Sequence, residues 1–213
     1  MAKYPIYLEM SGRRAVVIGA GAVAARKVQT LQEAGARVVV VAEQVQPPYA
    51  DAFRLANVEL IVSPYRKEYL AGATLAIAAT NDAALNQQIF HDCQELEVLC
   101  NVVDQPQLCD FYTPALVKRG DLQIAISTEG ECPAYAGHVR RKLEELFTEA
   151  HGRFVEQLEH MRQRILKEVP DPNQRKALMG RLASDESFDI FSCKGQNRWT
   201  EYAIAQITEG VTT

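Results

Sequence analysis

Short apolar runs alternate with helical patterns along the first half of the chain. The runs are apolar nearly throughout, which is typical of strands that are buried on both faces of a sheet. Between the runs, apolar residues recur at the three- and four-residue spacing of a helix. This alternation predicts a parallel sheet with helices on both faces. The predicted strands cover residues 15–18, 37–41, 58–62, 74–79 and 98–103, the predicted helices cover residues 23–34 and 82–94, and Gln46-Pro47-Pro48 is predicted as a turn before a modest helix.

The pattern changes after residue 111. Two β-like runs come next, joined by Lys118-Arg-Gly-Asp121, a connection typical of a hairpin. From Pro133, a residue suited to a first helical turn, apolar residues recur at helical spacing as far as Ile165. The pattern therefore predicts strands over residues 112–117 and 122–127, a helical stretch that ends at Pro170-Asp-Pro172, and short helices over residues 173–183 and 198–209.

These elements together predict an α/β protein in three parts. A parallel sheet is followed by a small β-hairpin segment and by a helical C-terminal domain. The predicted boundaries give a first domain over residues 1–111, a hairpin segment with its helix over 112–149, and a helical domain over 150–213. A chain of 213 residues is long enough to bury a sizeable core.

The loop after the first predicted strand has the pattern Gly19-x-Gly21-x-x-Ala24. Gly19 permits a tight turn, Gly21 lets the backbone approach a pyrophosphate, and a small residue at position 24 allows close packing of helix and strand. The helix that follows directs free N–H groups and the positive end of its dipole at the phosphates. The loop and its flanks predict a dinucleotide site; the alternative is a glycine-tight turn without a ligand.

Polar residues follow the fourth and fifth predicted strands, at the edge of the sheet that carries the glycine loop. Thr80 and Asn81 come after the fourth strand, and Asn101 and Asp104 close the fifth. For the first pair the alternative is helix capping, by Asn81 or by the adjacent Asp82. Asp104 has no helix to cap in the local sequence, which favours a catalytic or substrate-positioning role.

Composition narrows the classes of function. A formal net charge of −4 argues against general nucleic-acid binding. No signal peptide and no apolar run of membrane-spanning length is found, so no membrane contact is expected. The five cysteines are odd in number and lack C-x-x-C spacing, which predicts reduced thiols, a cytoplasmic location and no structural metal site.

Three groups of motifs, in register over residues 4–147, resemble a known family. The first group is Pro5-Ile-Tyr-Leu8, the glycine loop through Lys27, and Glu33-Ala-Gly-Ala36. The others are Ala76 to Asp82 with Asn86-Gln87 and Cys100-Asn-Val-Val-Asp104-x-Pro106, then Phe111-x-x-Pro114-Ala and Ile126 to Gly130 with Pro133. In this order they resemble precorrin-2 dehydrogenase, the module also found at the N-terminus of multifunctional siroheme synthases.

The resemblance implies a Rossmann-like domain that binds NAD and a homodimer formed through the middle segment. It implies oxidation of precorrin-2 to sirohydrochlorin, and some members of the family also insert ferrous iron as a co-substrate to give siroheme. Whether this chain does so is left open by its sequence. Because the chain ends at residue 213, without the long C-terminal part of the trifunctional synthases, we expect no methylation activity.

The resemblance also implies roles for particular residues. The cofactor would contact Gly19, Gly21, Val23 and Ala24 of the glycine loop. Ala22 in the same loop, and Thr80, Asn81 and Asn101 beside it, are predicted to bind the cofactor from their positions in the sequence. Asp104 matches the catalytic aspartate of the family. Ser127 and Thr128 fall in a serine-rich turn near the substrate.

The substrate is rich in carboxylates, so cations are expected along its cleft. Arg140, with Arg119, Arg141 and Lys142 nearby, is a candidate, and His138 is the one histidine close to the predicted site. The alternative for the basic residues is a solvated helix face that pairs with Glu144 and Glu145.

The chain departs from the family pattern at three positions. Glu43 stands where a proline is common; its carboxylate would bond ribose hydroxyls and repel a 2′-phosphate, which favours NAD over NADP. The alternative is a solvated loop glutamate. Cys132 stands where a serine usually precedes Pro133, and Gly137 where a basic residue is common, which weakens the expectation of substrate contacts there.

Two other functions fit parts of the sequence. A non-catalytic NAD-sensing module would keep the glycine loop without a need for Asp104. A methyltransferase would use the same loop for S-adenosylmethionine.

Overall fold

The structure is a computed structural model that describes residues 3–45, 47–55 and 58–212. The chain divides into two compact units, Met1–Thr113 and Pro114–Thr213, and each unit has its own core. The finer division predicted at residue 150 stays a prediction. Gln46 lies outside the described residues, and Pro47 and Pro48, predicted as part of a turn, instead begin a helix.

Five parallel strands form the sheet of the first unit, which confirms the α/β fold predicted from the apolar runs. The elements are β1 (Arg14–Ile18), α1 (Ala22–Glu33), β2 (Arg37–Ala42), α2 (Pro47–Leu55), β3 (Glu59–Val62), β4 (Leu75–Ala78), α3 (Ala83–Glu95) and β5 (Leu99–Val102), with short 3-10 turns at Lys67–Leu70 and Pro106–Leu108. The strand order is β3-β2-β1-β4-β5. The order reverses at β1, and in such sheets ligands bind outside the carboxyl ends of the strands at this point.

The two faces of the sheet enter separate cores, because successive side chains of a strand point to opposite faces. In β1, Ala15 and Val17 join the core that contains the buried side of α1, whereas Val16 and Ile18 join the core that contains α3. Since both faces are covered, the strand is apolar at every one of these positions, which is the pattern visible in the sequence.

The second unit begins with an antiparallel hairpin and continues as five helices within the described residues. Gly120 takes a φ of +56° in the tight turn of the hairpin, a conformation that favours glycine. In the helical core, the buried Trp199 donates its indole N–H to Ser187 Oγ at 2.7 Å. The elements are β6 (Ala115–Arg119), β7 (Leu122–Ile126), α4 (Pro133–Leu146), α5 (Glu149–Glu168), α6 (Pro172–Leu182), α7 (Asp185–Lys194) and α8 (Gln196–Thr212).

The helical stretch predicted from Pro133 to Pro170-Asp-Pro172 consists of two helices, α4 and α5. The break lies at Thr148, which forms a capping box with His151: the Thr148 amide donates to His151 Nδ1 at 3.1 Å. The apolar spacing continues across the break, so periodicity alone conceals it. The sequence analysis also missed α7, which Ser184 caps.

Among the helices of the described residues, none combines the length and the apolar content that crossing a bilayer requires.

Candidate functional site

The glycine loop connects β1 to α1 at the carboxyl edge of the sheet. Gly19 has a φ of +113°, and a Cβ on it would overlap the carbonyl group of Ala79, just beyond β4. On its other side the Gly19 amide donates to the Val41 carbonyl oxygen of β2 at 2.8 Å. The loop therefore passes between the ends of β2 and β4, the two strands that flank β1, where only glycine fits.

The N-terminus of α1 is open toward this edge. Its N-cap residue is Gly21, which has no side chain to accept hydrogen bonds from the first turn, and that turn contains no acidic residue. The first amides of the helix and the positive end of its dipole are thus exposed to an anionic group. A phosphate is the group that such a helix start binds best.

A cavity of about 510 Å³ lies over the carboxyl ends of β1, β2 and β4. This volume is within the range of roughly 300–1,000 Å³ that is usual for small-molecule sites. The structure brings seven of the residues predicted to bind the cofactor together in its lining: Gly19, Gly21, Ala22, Val23, Glu43, Thr80 and Asn81.

Two other residues predicted to contact the cofactor, Ala24 and Asn101, are not part of this lining. Ala24 is fully buried in the core beneath α1, where its small side chain lets helix and sheet pack closely. Asn101 is 8% exposed, and its amide donates to the Phe111 carbonyl oxygen at 2.8 Å. Both side chains therefore contribute to packing or to internal hydrogen bonds.

The sequence left two roles open for the residues after β4, a position at the ligand site or helix capping, and different residues of this loop fit each of them. Asp82 caps α3, since its carboxylate accepts hydrogen bonds from the Ala84 and Leu85 amides at 2.9 and 3.1 Å. Thr80 donates to Asn86 Oδ1 at 2.7 Å, and the Asn86 amide donates back to the Thr80 carbonyl oxygen at 3.1 Å. Asn81, by contrast, is exposed at the cavity.

The lining also contains residues that were missed from the sequence, among them Ser63 and Tyr65 in the segment after β3. The Tyr65 hydroxyl donates to Asp92 Oδ2 at 2.9 Å. Burial and then this hydrogen bond raise the pKa of Tyr65 well above its ordinary value, so its hydroxyl stays neutral. The sequence feature that could have indicated these two residues is the Ser-Pro-Tyr segment directly after the third apolar run.

Asp104 lies in the turn after β5, at the same edge of the sheet as the glycine loop, because β1, β4 and β5 are parallel neighbours. Its φ is +60°, in the left-handed region, and the Gln105 amide closes the turn by donating to the Val102 carbonyl oxygen at 3.3 Å. This conformation costs roughly 1–2 kcal/mol for most residues, although Asp and Asn tolerate it. Side chains held in such conformations cluster at functional sites.

In the second unit, Ser127 and Thr128 organise the turn that leads into α4. The Ser127 hydroxyl accepts a hydrogen bond from the Glu129 amide at 3.0 Å, and the Thr128 hydroxyl accepts one from the Cys132 amide at 3.2 Å. Glu129 in this turn has a left-handed φ of +55°. The turn before Pro133 is therefore held by the two hydroxyls predicted to lie near the substrate.

The other predicted substrate residues lie on α4. His138 is exposed and stacks on Tyr135, with ring centroids 6.0 Å apart. Arg140 forms an ion pair with Glu144, the pairing that the alternative reading of this face expects. Arg119 donates to the Phe147 and Glu144 carbonyl oxygens at 2.7 and 3.1 Å, so it caps the end of α4.

The first unit has the features of a Rossmann-like dinucleotide-binding domain: the strand order, the glycine loop at a helix N-terminus, and a cavity over the carboxyl edge. Residues 6–115 match the family described as putative NAD(P)-binding, which is more than half of the chain. Residues 119–146 match the family described as sirohaem biosynthesis protein central.

Curated relatives agree with these matches. The siroheme synthase of Psychrobacter sp. (strain PRwf-1) is 34% identical over 176 residues, which cover 83% of this chain and 36% of that protein. The siroheme synthase of Pseudomonas putida (strain F1) is 38% identical over 172 residues, which cover 81% of this chain and 37% of that protein. The chain thus spans less than half the length of these relatives.

Among solved structures, SirC, a precorrin-2 dehydrogenase, has a TM-score of 0.78 to this chain at 22% identity, and the match covers 97% of this chain and 100% of that one. The two proteins share a fold. The chain belongs to the family described as putative NAD(P)-binding, and its second match is to the central part of sirohaem biosynthesis proteins. The two matches bear out the resemblance found in its sequence.

Proposed function

We propose that this protein oxidises precorrin-2 to sirohydrochlorin with NAD as the hydride acceptor. The observation that carries the proposal is the presence, at one edge of the sheet, of a dinucleotide-type cavity and the Asp104 turn. The two family matches support it, because one is to NAD(P)-binding domains and the other to sirohaem biosynthesis.

The residues of the cavity suit NAD. The glycine loop and the uncapped start of α1 form a cradle for the pyrophosphate, and a side chain at position 19 would not fit there. Glu43 follows β2, at the position where an acidic residue bonds the ribose hydroxyls in many such domains. When bound, NAD supplies the redox chemistry by accepting a hydride.

Asp104 is the proposed base. Oxidation removes a hydride and a proton from the macrocycle; the hydride passes to C4 of the nicotinamide, and the proton needs an acceptor. A carboxylate beside the ring is suited to this, and Asp104 is exposed at the edge of the sheet where the cavity opens. Asn101, Ser127, Thr128, His138 and Arg140 stay predictions for the surroundings of the cofactor and the substrate.

Thermal unfolding with candidate cofactors separates this proposal from its two rivals. We expect NAD to raise the melting temperature more than NADP, and S-adenosylmethionine to leave it unchanged. Stabilisation by S-adenosylmethionine alone would favour a methyltransferase. Stabilisation by NAD without NADH formation, when precorrin-2 is added under anaerobic conditions, would favour an NAD-sensing module.

We propose, as a candidate second activity of the same protein, the insertion of ferrous iron into sirohydrochlorin to give siroheme. Insertion of iron releases two pyrrole protons, so the same Asp104 carboxylate is placed to assist either step. The test adds ferrous iron after anaerobic oxidation is complete. A siroheme spectrum that forms faster than in an enzyme-free control supports chelation, whereas sirohydrochlorin that persists shows a dehydrogenase alone.

A homodimer formed through the hairpin and α4, in the cytoplasm, completes the proposal. Tyr135 and Leu146 on α4 are 60% and 66% exposed, which gives this helix apolar surface for a second copy. The location rests on the five free thiols, which suit a reducing compartment. Light scattering coupled to size-exclusion chromatography should give twice the chain mass of 23.7 kDa; the mass of a single chain would contradict the dimer.

A further inference from the structure

Hydrogen bonds from two side chains close the loop that contains the Asp104 turn. Asn101 and Cys109, which we name the brace, face each other in an isolated antiparallel bridge between β5 and the segment after the turn. The Asn101 amide donates to Cys109 Sγ at 3.5 Å and to the Phe111 carbonyl oxygen at 2.8 Å. The brace therefore closes the loop of residues 101–109 at its base.

The thiol of Cys109 reaches both sides of the Asp104 turn. Its Sγ lies 3.2 Å from the Val102 carbonyl oxygen and 3.3 Å from that of Gln105, which flank the turn. One S–H proton is shared between these two acceptors, so the contact requires a protonated thiol. Burial raises the pKa of Cys109 above its ordinary value, which keeps the proton on sulfur at neutral pH.

The turn needs such support because Asp104 takes a left-handed φ of +60°. Residues in this conformation persist where the surrounding structure holds them. The backbone bond that closes the turn, from the Gln105 amide to the Val102 carbonyl oxygen, is long at 3.3 Å. The thiol adds a second link between the same two residues.

We propose that Cys109 is a positioning residue for Asp104: its thiol fixes the turn so that the carboxylate points at the reacting ring. This inference rests on the proposed function for its catalytic part. Cys109 does not line the described cavity, so its effect should fall on the chemical step and leave cofactor binding intact.

Three cysteine variants test the proposal. In Cys109→Ala the donor is lost, and we expect kcat for precorrin-2 oxidation to fall roughly 10- to 100-fold, as for a misplaced catalytic group, while the Kd for NAD stays within about twofold. In Cys109→Ser a hydroxyl donates in place of the thiol, and we expect at least about a third of the wild-type kcat. Cys193→Ala, at an exposed position on α7, is the matched control and should behave as wild type.

Hydrogen exchange at the Gln105 amide separates a failure of the brace from a failure of the proposed function. We expect exchange to accelerate in Cys109→Ala and to slow again in Cys109→Ser. Unchanged exchange in the alanine variant overturns the brace, whatever the activity. Faster exchange with an unchanged kcat overturns the positioning role.

The last arm is a double-mutant cycle. If the brace acts through Asp104, adding Cys109→Ala to Asp104→Asn should lower kcat no further. A full additional loss in the double variant overturns the proposal. Full activity of Asp104→Asn alone would remove the proposed role of Asp104, and with it the catalytic part of this inference, while the exchange measurement would still report on the brace.

Discussion

At the scale of single residues, Gly19 is the position of the glycine loop where a side chain would clash with the backbone. A Cβ there would lie 2.8 Å from the Ala79 carbonyl carbon, and the φ of +113° adds strain. We expect Gly19→Ala to lower the melting temperature and to weaken NAD binding by at least about 100-fold, because either the loop or β4 must shift. Both effects are measured by a thermal shift titration with NAD.

Gly72 provides a control for this experiment. It also has a left-handed φ, +70°, but no atom of the described residues lies within 4 Å of a Cβ built on it. Gly72→Ala should therefore cost only the conformational strain of about 1–2 kcal/mol and leave the Kd for NAD unchanged. Equal behaviour of the two variants would contradict a specific role for Gly19.

Glu43 is the residue that should set the choice of cofactor. Glu43 lines the cavity after β2, and its carboxylate would repel a 2′-phosphate. We expect Glu43→Ala to shift the ratio of the NAD and NADP dissociation constants roughly tenfold toward NADP, which corresponds to about 1.4 kcal/mol. Calorimetric titration measures both constants, with Gln44→Ala, a neutral neighbour in the same lining, as the control. An unchanged ratio would mean that Glu43 is a solvated loop residue.

At the scale of elements, Gly152 fixes how closely α5 approaches the hairpin. A Cβ at this position would lie 2.5 Å from the Arg119 carbonyl oxygen and 3.1 Å from the Gly120 amide nitrogen. Gly152→Ala should therefore destabilise the second unit by about 1–3 kcal/mol or more through overpacking. Urea unfolding followed by the fluorescence of Trp199, the single tryptophan, reports on this unit.

Gly180 in α6 is the matched helical glycine, because within the part of the chain that the structure describes no atom lies within 4 Å of a Cβ built on it. Gly180→Ala should raise stability by roughly 0.5–1 kcal/mol, since alanine favours a helix. A destabilised Gly180→Ala, or an unaffected Gly152→Ala, would contradict the packing described for α5.

The sequence predicts most elements because burial leaves a periodic signal. The strands β1 and β2 read as continuous apolar runs, since both faces of the sheet are covered. The break between α4 and α5 leaves no such signal, because it depends on the Thr148–His151 cap and not on apolar spacing. The starts of α5 and α7 are instead marked by their N-cap residues, Thr148 and Ser184.

At the scale of the whole molecule, the site is predictable only in part. The glycine loop has a local signature in the sequence and lines the cavity, whereas the role of Asp104, which has its own local signature, stays a prediction. Ser63 and Tyr65 were missed because their presence in the cavity depends on the position of β3 beside β2, which is a property of strand order in space. The hydrogen bond from Asn101 to the Phe111 carbonyl oxygen also joins residues ten positions apart, and the cofactor contact of Asn101 stays a prediction.

The proposed function is that this protein oxidises precorrin-2 with NAD and that Asp104 is the base. Asp104→Asn tests it cleanly, because asparagine tolerates the left-handed turn while it cannot accept the proton. The measurement is anaerobic single-turnover formation of NADH from precorrin-2 by the two proteins, with the Kd for NAD determined in parallel. We predict equal amounts of NADH and sirohydrochlorin from the wild type, and a rate about 100-fold lower or more in the variant at an unchanged Kd. No NADH from the wild type, or a full rate in the variant, would contradict the account.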